Sequence, residues 1–265
     1  MGILNVTPDS FAEAQPLTDP AAAIAAALKL EAEGADLIDV GGESTRPGAD
    51  AVSADEEIAR ALPVIEGLRG RLRIPISIDT YKSAVADAAL AAGAAMVNDV
   101  SGLLYDPALA GVVAASGAAM VLMHTRGRPK AMYEEAEYQD VIGEVTAELQ
   151  DRVEQATAAG VPAERILVDP GLGFAKRPAH SYGVLARLPE IAAAMNRPLL
   201  VGPSRKSFMR QAAGGRDASE RDWATAAAVT AAVLNGAHIV RVHAVAEMVQ
   251  VVRTAEEIRR AQLKG

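Results

Sequence analysis

Short apolar runs recur along this chain at fairly even intervals, each followed by a longer stretch with helical spacing. In order they are "GILN", "ADLIDV", "IPISID", "AAMVND", "AAMVLMH", "RILVDP", "PLLVG" and "AHIVRVH". They have strand length and are apolar on both faces, as strands covered by helices must be. The stretches between them, such as "DPAAAIAAALKLEAEGA" and "VIGEVTAELQDRVEQATAAG", are rich in Ala, Glu and Leu, and several end at glycine, where helices stop. Strand followed by helix, eight times over, predicts right-handed crossovers, a parallel sheet and closure into an α/β fold of the (β/α)8 TIM-barrel type. The alternative is a doubly wound open sheet, but no Gly-x-Gly-x-x-Gly follows the first strand. No linker or low-complexity tract divides the chain, so residues 1–265 are expected to form one domain. The first strand begins at Gly2, with no amino-terminal extension before it, and nothing is expected to plug the amino-terminal end of the barrel.

In such a barrel the chemistry gathers where the strands end at their carboxyl side. Polar residues fall there on nearly every strand: Asn5, Asp39, Asp79, Asn98 with Asp99, His124, Asp169, then Lys206 with Ser207, and Arg241 with His243. A single Asp at a strand end is more often a cap or turn former. A whole ring of them is not what stability asks for, since buried carboxylates and amides cost free energy. Side chains alternate along a strand, so Ser77 shares a face with Asp79, and Arg241 shares one with His243. The second pair reads as an anion clamp, a planar fork beside an imidazole. The bland alternative, both under an outer helix, fits poorly with the apolar Ile239, Val240 and Val242 around them. His238 reads as structural and His180, in a loop, as solvated.

Asp79, Asn98 and Asp169 would offer carboxylates and an amide to one cavity, which suits a flat heterocycle rich in N–H donors. One side of the mouth then seeks donors and the other an anion, as a ligand with a polar ring and a phosphate would require. The stretch "LLVGPSRKSF" places Arg205 and Lys206 at the end of a buried strand, where a solvated surface pair is out of place. Two loops, "NVTPDSF" and "GGESTRPGAD", are rich in Gly, Pro, Ser and Thr and read as lids carrying polar groups.

Composition narrows the partners. Half the residues are hydrophobic and 23% are charged, which is globular rather than disordered. The absence of cysteine excludes disulfides, a thiolate nucleophile and a zinc–thiolate site. No apolar run approaches the roughly 18 residues of a membrane span and no signal peptide opens the chain, so a cytoplasmic location is expected. A net charge of −8 with 3% aromatic residues argues against nucleic acid. Any phosphate must therefore be held by local cations against the overall field.

The motifs "MGILNVTPDSF", "IDVGGESTRPGA", "SIDTYK", "NDVSG", "VLMHTRGRPKAM", "LVDPGLGF", "SRKSF" and "IVRVH" stand in this order along nearly the whole chain. In them the sequence resembles the dihydropteroate synthases of folate biosynthesis. The resemblance implies a TIM barrel, a Mg2+ ion, a homodimer and a sulfonamide target. It also implies a reaction: p-aminobenzoate condenses with 6-hydroxymethyl-7,8-dihydropterin pyrophosphate to give 7,8-dihydropteroate and pyrophosphate. It places the pterin ring against Asp79, Asn98, Asp169 and Lys206, with Phe174 close by. Asn5 would meet the magnesium-bound pyrophosphate, whose oxygens Arg241 and His243 would grip. Phe11, Thr45, Arg46 and Pro47 would form the aminobenzoate pocket, with Ser207 at its carboxylate. Arg205 is left with structural support.

The chemistry so implied needs no strong general base, because the attacking arylamine is neutral. Stabilising the departing pyrophosphate matters most. The chain departs from the family after "TPDSF", where Ala12, Glu13, Ala14 and Gln15 replace the usual Ser-Asp-Gly-Gly. Glu13 can take the place of the acidic residue that would stabilise a pterin cation. Ala244 replaces the Asp that usually follows "RVH", and Phe208 is expected beside the aminobenzoate pocket. Two other readings stay open: a non-catalytic pterin-binding relative, and a methyltetrahydrofolate-dependent methyltransferase. Against the second stand "TPDSF", "SRKSF" and "RVH".

Overall fold

The computed structural model describes residues 1–7, 19–45, 48–128, 132–134 and 136–262. All eight apolar runs contain a strand: β1 (Gly2–Asn5), β2 (Ile38–Gly41), β3 (Ile76–Asp79), β4 (Met96–Asp99), β5 (Ala119–Met123), β6 (Ile166–Asp169), β7 (Leu200–Val201) and β8 (Ile239–Val240). The first six pair in sequence order in one parallel sheet, and β7 pairs in parallel with β8. Two parallel bridges join the arcs, Val168 with Leu199 and Gly2 with Val242. The amides of Ile3 and Val168 donate to the carbonyls of Val242 and Pro198, at 3.0 and 3.1 Å. The sheet therefore closes on itself as a (β/α)8 barrel. Its closure rests on two short staves.

Helices follow the strands as the spacing requires. They are α1 (Pro20–Ala32), α2 (Ala54–Leu68), α3 (Ser83–Ala92), α4 (Leu109–Ser116), α5 (Val141–Ala158), α6 (Pro178–Ala186), α7 (Leu188–Met195), α8 (Asp222–Leu234) and α9 (Val245–Gln262). Asp19 caps α1 by accepting from the amides of Ala21 and Ala22, and Pro20 opens the helix where its missing N–H costs nothing. Ser53 and Asp140 cap α2 and α5 in the same way. Ala23 and Ala27 of α1 are fully buried, and such small side chains let the helix lie close against the sheet.

The amino-terminal end of the barrel is not open. Met1, Leu37, Val121 and Leu200 form a buried cluster with Met96, Leu167 and Ile239 against it. The chain thus supplies its own plug, contrary to the expectation from its start at Gly2. Each such side chain removed from water contributes roughly 2 kcal/mol. With one end filled, the ligand-sized space lies at the other.

Candidate active site

At the carboxyl ends of the strands lies a cavity of about 590 Å³. Asn5, Asp79, Asn98 and Asp169 reach it from β1, β3, β4 and β6, as the alternation of strand side chains demands. Phe174, from the turn after β6, and Thr45, from the loop after β2, also line it. Lys206 and Ser207, after β7, and Arg241 and His243, after β8, complete the lining. Every sequence-derived site residue within the described part is therefore gathered into one space. Phe11, Glu13, Arg46 and Pro47 lie outside the described residues.

Not every polar strand end contributes. Asp99, one residue beyond Asn98, points away and accepts from the amides of Ser101 and Leu103, ordering the loop after β4. His124 likewise faces Glu148 on α5, with Nε2 3.0 Å from a carboxylate oxygen. His238 accepts from the Leu199 amide and is structural, as expected. His180 stands in α6 and not in a loop, and it is half-buried: its ring packs edge-on against Tyr138 and its Nδ1 is shielded from water. Phe208 is also displaced from its expected place. It is buried in the core against Tyr182 and does not line the cavity.

Arg241 departs most from the sequence reading. Its Nε donates to Asp39 at 2.5 Å and its terminal NH2 to Asp79 at 2.6 Å. The donor-seeking and anion-seeking halves of the mouth are thus joined through one guanidinium. Asp39 also accepts from the Asn98 amide at 3.0 Å. It is fully buried and binds the anion side to the ring side. Even so, one carboxylate oxygen on each of Asp39 and Asp79 is buried without a partner. Burial raises the Asp79 carboxyl to about 7; Arg241 opposes the rise and Asp39 adds to it. Asp169 is raised by burial as well, against the pull of Lys206, and one of its oxygens accepts from the Gly171 amide at 2.7 Å.

Beside Asp169, the Lys206 ammonium donates to the Leu172 carbonyl at 2.5 Å and lies 4.4 Å from the centre of the Phe174 ring. Burial lowers its pKa to about 8, with the Asp169 carboxylate opposing. Ser204 Oγ accepts from the His243 amide at 3.1 Å and lies 2.8 Å from that residue's Nδ1. Having accepted the first bond, the hydroxyl still has its own proton to give to Nδ1, and with that assignment the ring proton sits on Nε2. Arg205 also borders the cavity, but its guanidinium is held in a two-pronged ion pair with Asp222 at 2.7 and 2.8 Å, the structural role expected of it. Both cations of the doublet border the cavity, but among the described residues only the Lys206 ammonium is left without a carboxylate ion pair there.

Sequence reasoning gave no site role to Arg221, which lines the cavity while 7% exposed and donates to the Lys206 carbonyl at 2.8 Å. Its Nε is buried without a partner. It sits in a run of charges, "GRDASERDW", that looks like a solvated loop. Asp39 and Ser204 were visible as polar residues near strand ends, but their partners lie on distant strands.

The comparisons with known proteins agree with this geometry. Residues 1–243 match the family described as pterin binding enzymes. A dihydropteroate synthase of Synechocystis is 45% identical over 260 residues, which span 98% of this chain and 90% of that protein. A Yersinia pestis dihydropteroate synthase solved with a sulfonamide drug matches with a TM-score of 0.94 at 40% identity, covering 98% of this chain and 94% of the other. A Xanthomonas albilineans dihydropteroate synthase in complex with 7,8-dihydropteroate matches with a TM-score of 0.85 at 37% identity, covering 98% and 92%.

Proposed function

We infer that this chain, which belongs to the pterin-binding enzyme family, catalyses the dihydropteroate synthase reaction, a transfer of the dihydropterin methylene group from pyrophosphate to the amine of p-aminobenzoate. The observation that carries this reading is the two-ended cavity. Acceptors on Asp79, Asn98 and Asp169 share one cavity with the cations Lys206 and Arg241 and with His243, and Arg241 is bonded to Asp79 where the two sets meet. The unpartnered Asp79 oxygen is suited to an N–H of the pterin edge, and Phe174 to its face.

The bond that breaks joins the methylene carbon to a pyrophosphate oxygen, and its electron pair leaves with the oxygen. The lone pair of the arylamine then forms the carbon–nitrogen bond, and the amine sheds one proton. Arg241 and the Nε2–H of His243 receive the developing negative charge, and the two carboxylates on Arg241 fix its plane before the substrate arrives. Lys206 meets the polar edge of the pterin. Thr45 and Ser207 border the aminobenzoate, with Ser207 and Arg221 placed to meet its carboxylate. Phe11, Glu13, Arg46 and Pro47 keep in this reading the roles that the family resemblance implies for them.

Magnesium belongs to the same reading. Among the described residues no group of three His, Asp or Glu is arranged to hold a cation. The donor set fits an ion that keeps water and substrate phosphates as its main ligands, with the Asn5 amide oxygen as the protein's contribution. Bound there, it would neutralise charge on the leaving pyrophosphate. A homodimer and a cytoplasmic location are also proposed. For the first, Trp223 at the start of α8 is 90% exposed. For the second, no helix among the described residues is long and apolar enough to cross a membrane.

The test is pyrophosphate release from the dihydropterin pyrophosphate, measured with and without p-aminobenzoate. The intact protein should release it in an aminobenzoate-dependent way. Lys206→Ala and Arg241→Ala should each lose at least about 100-fold in kcat/KM. Pterin binding without dihydropteroate formation would identify a non-catalytic relative instead, and methyl transfer to a corrinoid would identify the methyltransferase.

A further inference from the structure

Lys176 is 1% exposed, and the carboxylate that acts on it most strongly is that of Asp169. Its ammonium lies 2.7 Å from Nδ1 of His124 and donates to the Phe174 carbonyl at 3.2 Å. On its far side the His124 ring meets Glu148, which also takes the Nε of Arg126 at 3.0 Å. The polarity of this chain of bonds is set at the Glu148 end. Its carboxylate can only accept, so Nε2–H of His124 donates to it and Nδ1 accepts from the Lys176 amine, whose pKa burial lowers well below its ordinary value. Burial and the neighbouring Lys176 push the His124 imidazole down to about 4, which keeps it neutral and able to accept. Burying a lysine amine is costly even with the Asp169 carboxylate acting to keep it charged, and an apolar side chain of similar length would fill the same space more cheaply.

The chain ends on a segment that serves the cavity. The turn after β6 carries Phe174, and three of its carbonyls are each taken by a separate donor. Lys206 takes that of Leu172, Lys176 that of Phe174, and the Tyr138 hydroxyl that of Ala175 at 3.0 Å. Ala175 holds a φ of +45°, a conformation a non-glycine residue keeps only when its surroundings impose it. The same turn begins at Asp169, whose carboxylate accepts from Gly171.

We propose that Lys176 is a positioning residue for the pterin half of the site: held through His124 by Glu148, it fixes the turn that aims Phe174 and Asp169 at the ring. This rests on the reading of the cavity as a pterin site. It extends that site through the barrel wall to α5, which touches no substrate in that reading.

The test compares Lys176→Met and Glu148→Gln with the intact protein. Calorimetry would give the Kd for 6-hydroxymethyl-7,8-dihydropterin, which lacks a leaving group, and steady-state assays the KM for each substrate. Lys176→Met should weaken pterin binding by about tenfold or more, the scale of a misplaced contact, while leaving the aminobenzoate KM within about twofold. Glu148→Gln should shift pterin binding in the same direction by about threefold. Unchanged pterin binding in Lys176→Met overturns the proposal. Equal losses for both substrates overturn it as well, since they mark a general structural role. Should Lys176→Met not fold, Glu148→Gln decides, because that side chain is only part-buried and glutamine keeps its size, and an unchanged Kd there overturns the proposal. Failure of the functional reading would show in the intact protein, as pterin binding without product; failure of the proposal shows only between intact protein and variants.

Discussion

Asp79 has only one of its two oxygens engaged: one is held by Arg241, and the other is buried without a partner. Burial raises this carboxyl to about 7, far above its ordinary value of 3.8. The folded protein then holds the proton more tightly than the unfolded chain does. The contribution of Asp79 to stability is fully present below about pH 4 and is lost as pH rises through about 7. Pterin binding has the opposite sign, since a ring N–H needs the carboxylate. Affinity for the dihydropterin should fall by up to about tenfold for each pH unit below 7, with proton release on binding. Calorimetry between pH 5.5 and 8, in buffers of different ionisation enthalpy, checks this. A flat profile would show that Arg241 keeps Asp79 ionised throughout. Asp79 itself was legible, because a carboxylate at the end of an apolar strand has few structural uses. Asp39, Ser204 and Arg221 were not read as site residues, because each role depends on a partner supplied by a remote strand or loop.

Among the elements, the turn after β6 is the most constrained. Gly171 has a φ of +68°, and a Cβ there would sit 2.0 Å from the His124 carbonyl oxygen. Gly171→Ala should therefore cost about 3 kcal/mol or more, from strained backbone and from overpacking. Gly214 makes the control. Its φ is +71°, but a Cβ would meet nothing within 4 Å, so Gly214→Ala should cost only about 1 kcal/mol. Urea unfolding of the two variants compares them, and equal midpoints would sink the argument. Strands were legible at this scale because apolar runs buried on both faces leave no other reading. Their lengths were not. "PLLVG" yields only Leu200–Val201, and "AHIVRVH" only Ile239–Val240, because pairing depends on how neighbouring staves tilt. The division of the sixth crossover into α6 and α7 at Arg187 also went unread, although Pro189 at the head of the second helix is consistent with it.

At the scale of the molecule, the eightfold alternation of strand and helix announced the barrel. The plug of Met1, Leu37, Val121 and Leu200 did not show, since nothing in a strand pattern says which apolar faces meet inside. Nor did the pattern reveal that six strands form one continuous arc, while β7 and β8 form a pair joined to it by single bridges at each side. That pair carries Lys206, Ser207, Arg241 and His243, whereas Asp79, Asn98 and Asp169 belong to the arc. A ligand gripped at both ends therefore spans both seams. Amide hydrogens at Leu199–Val201 and 239–242 should exchange with deuterium faster than those of β3 to β5 in the free protein, and should slow most when a dihydropterin and pyrophosphate are bound together. In that sense the substrate acts as a buckle, and the catalytic site is also the place where the barrel is fastened.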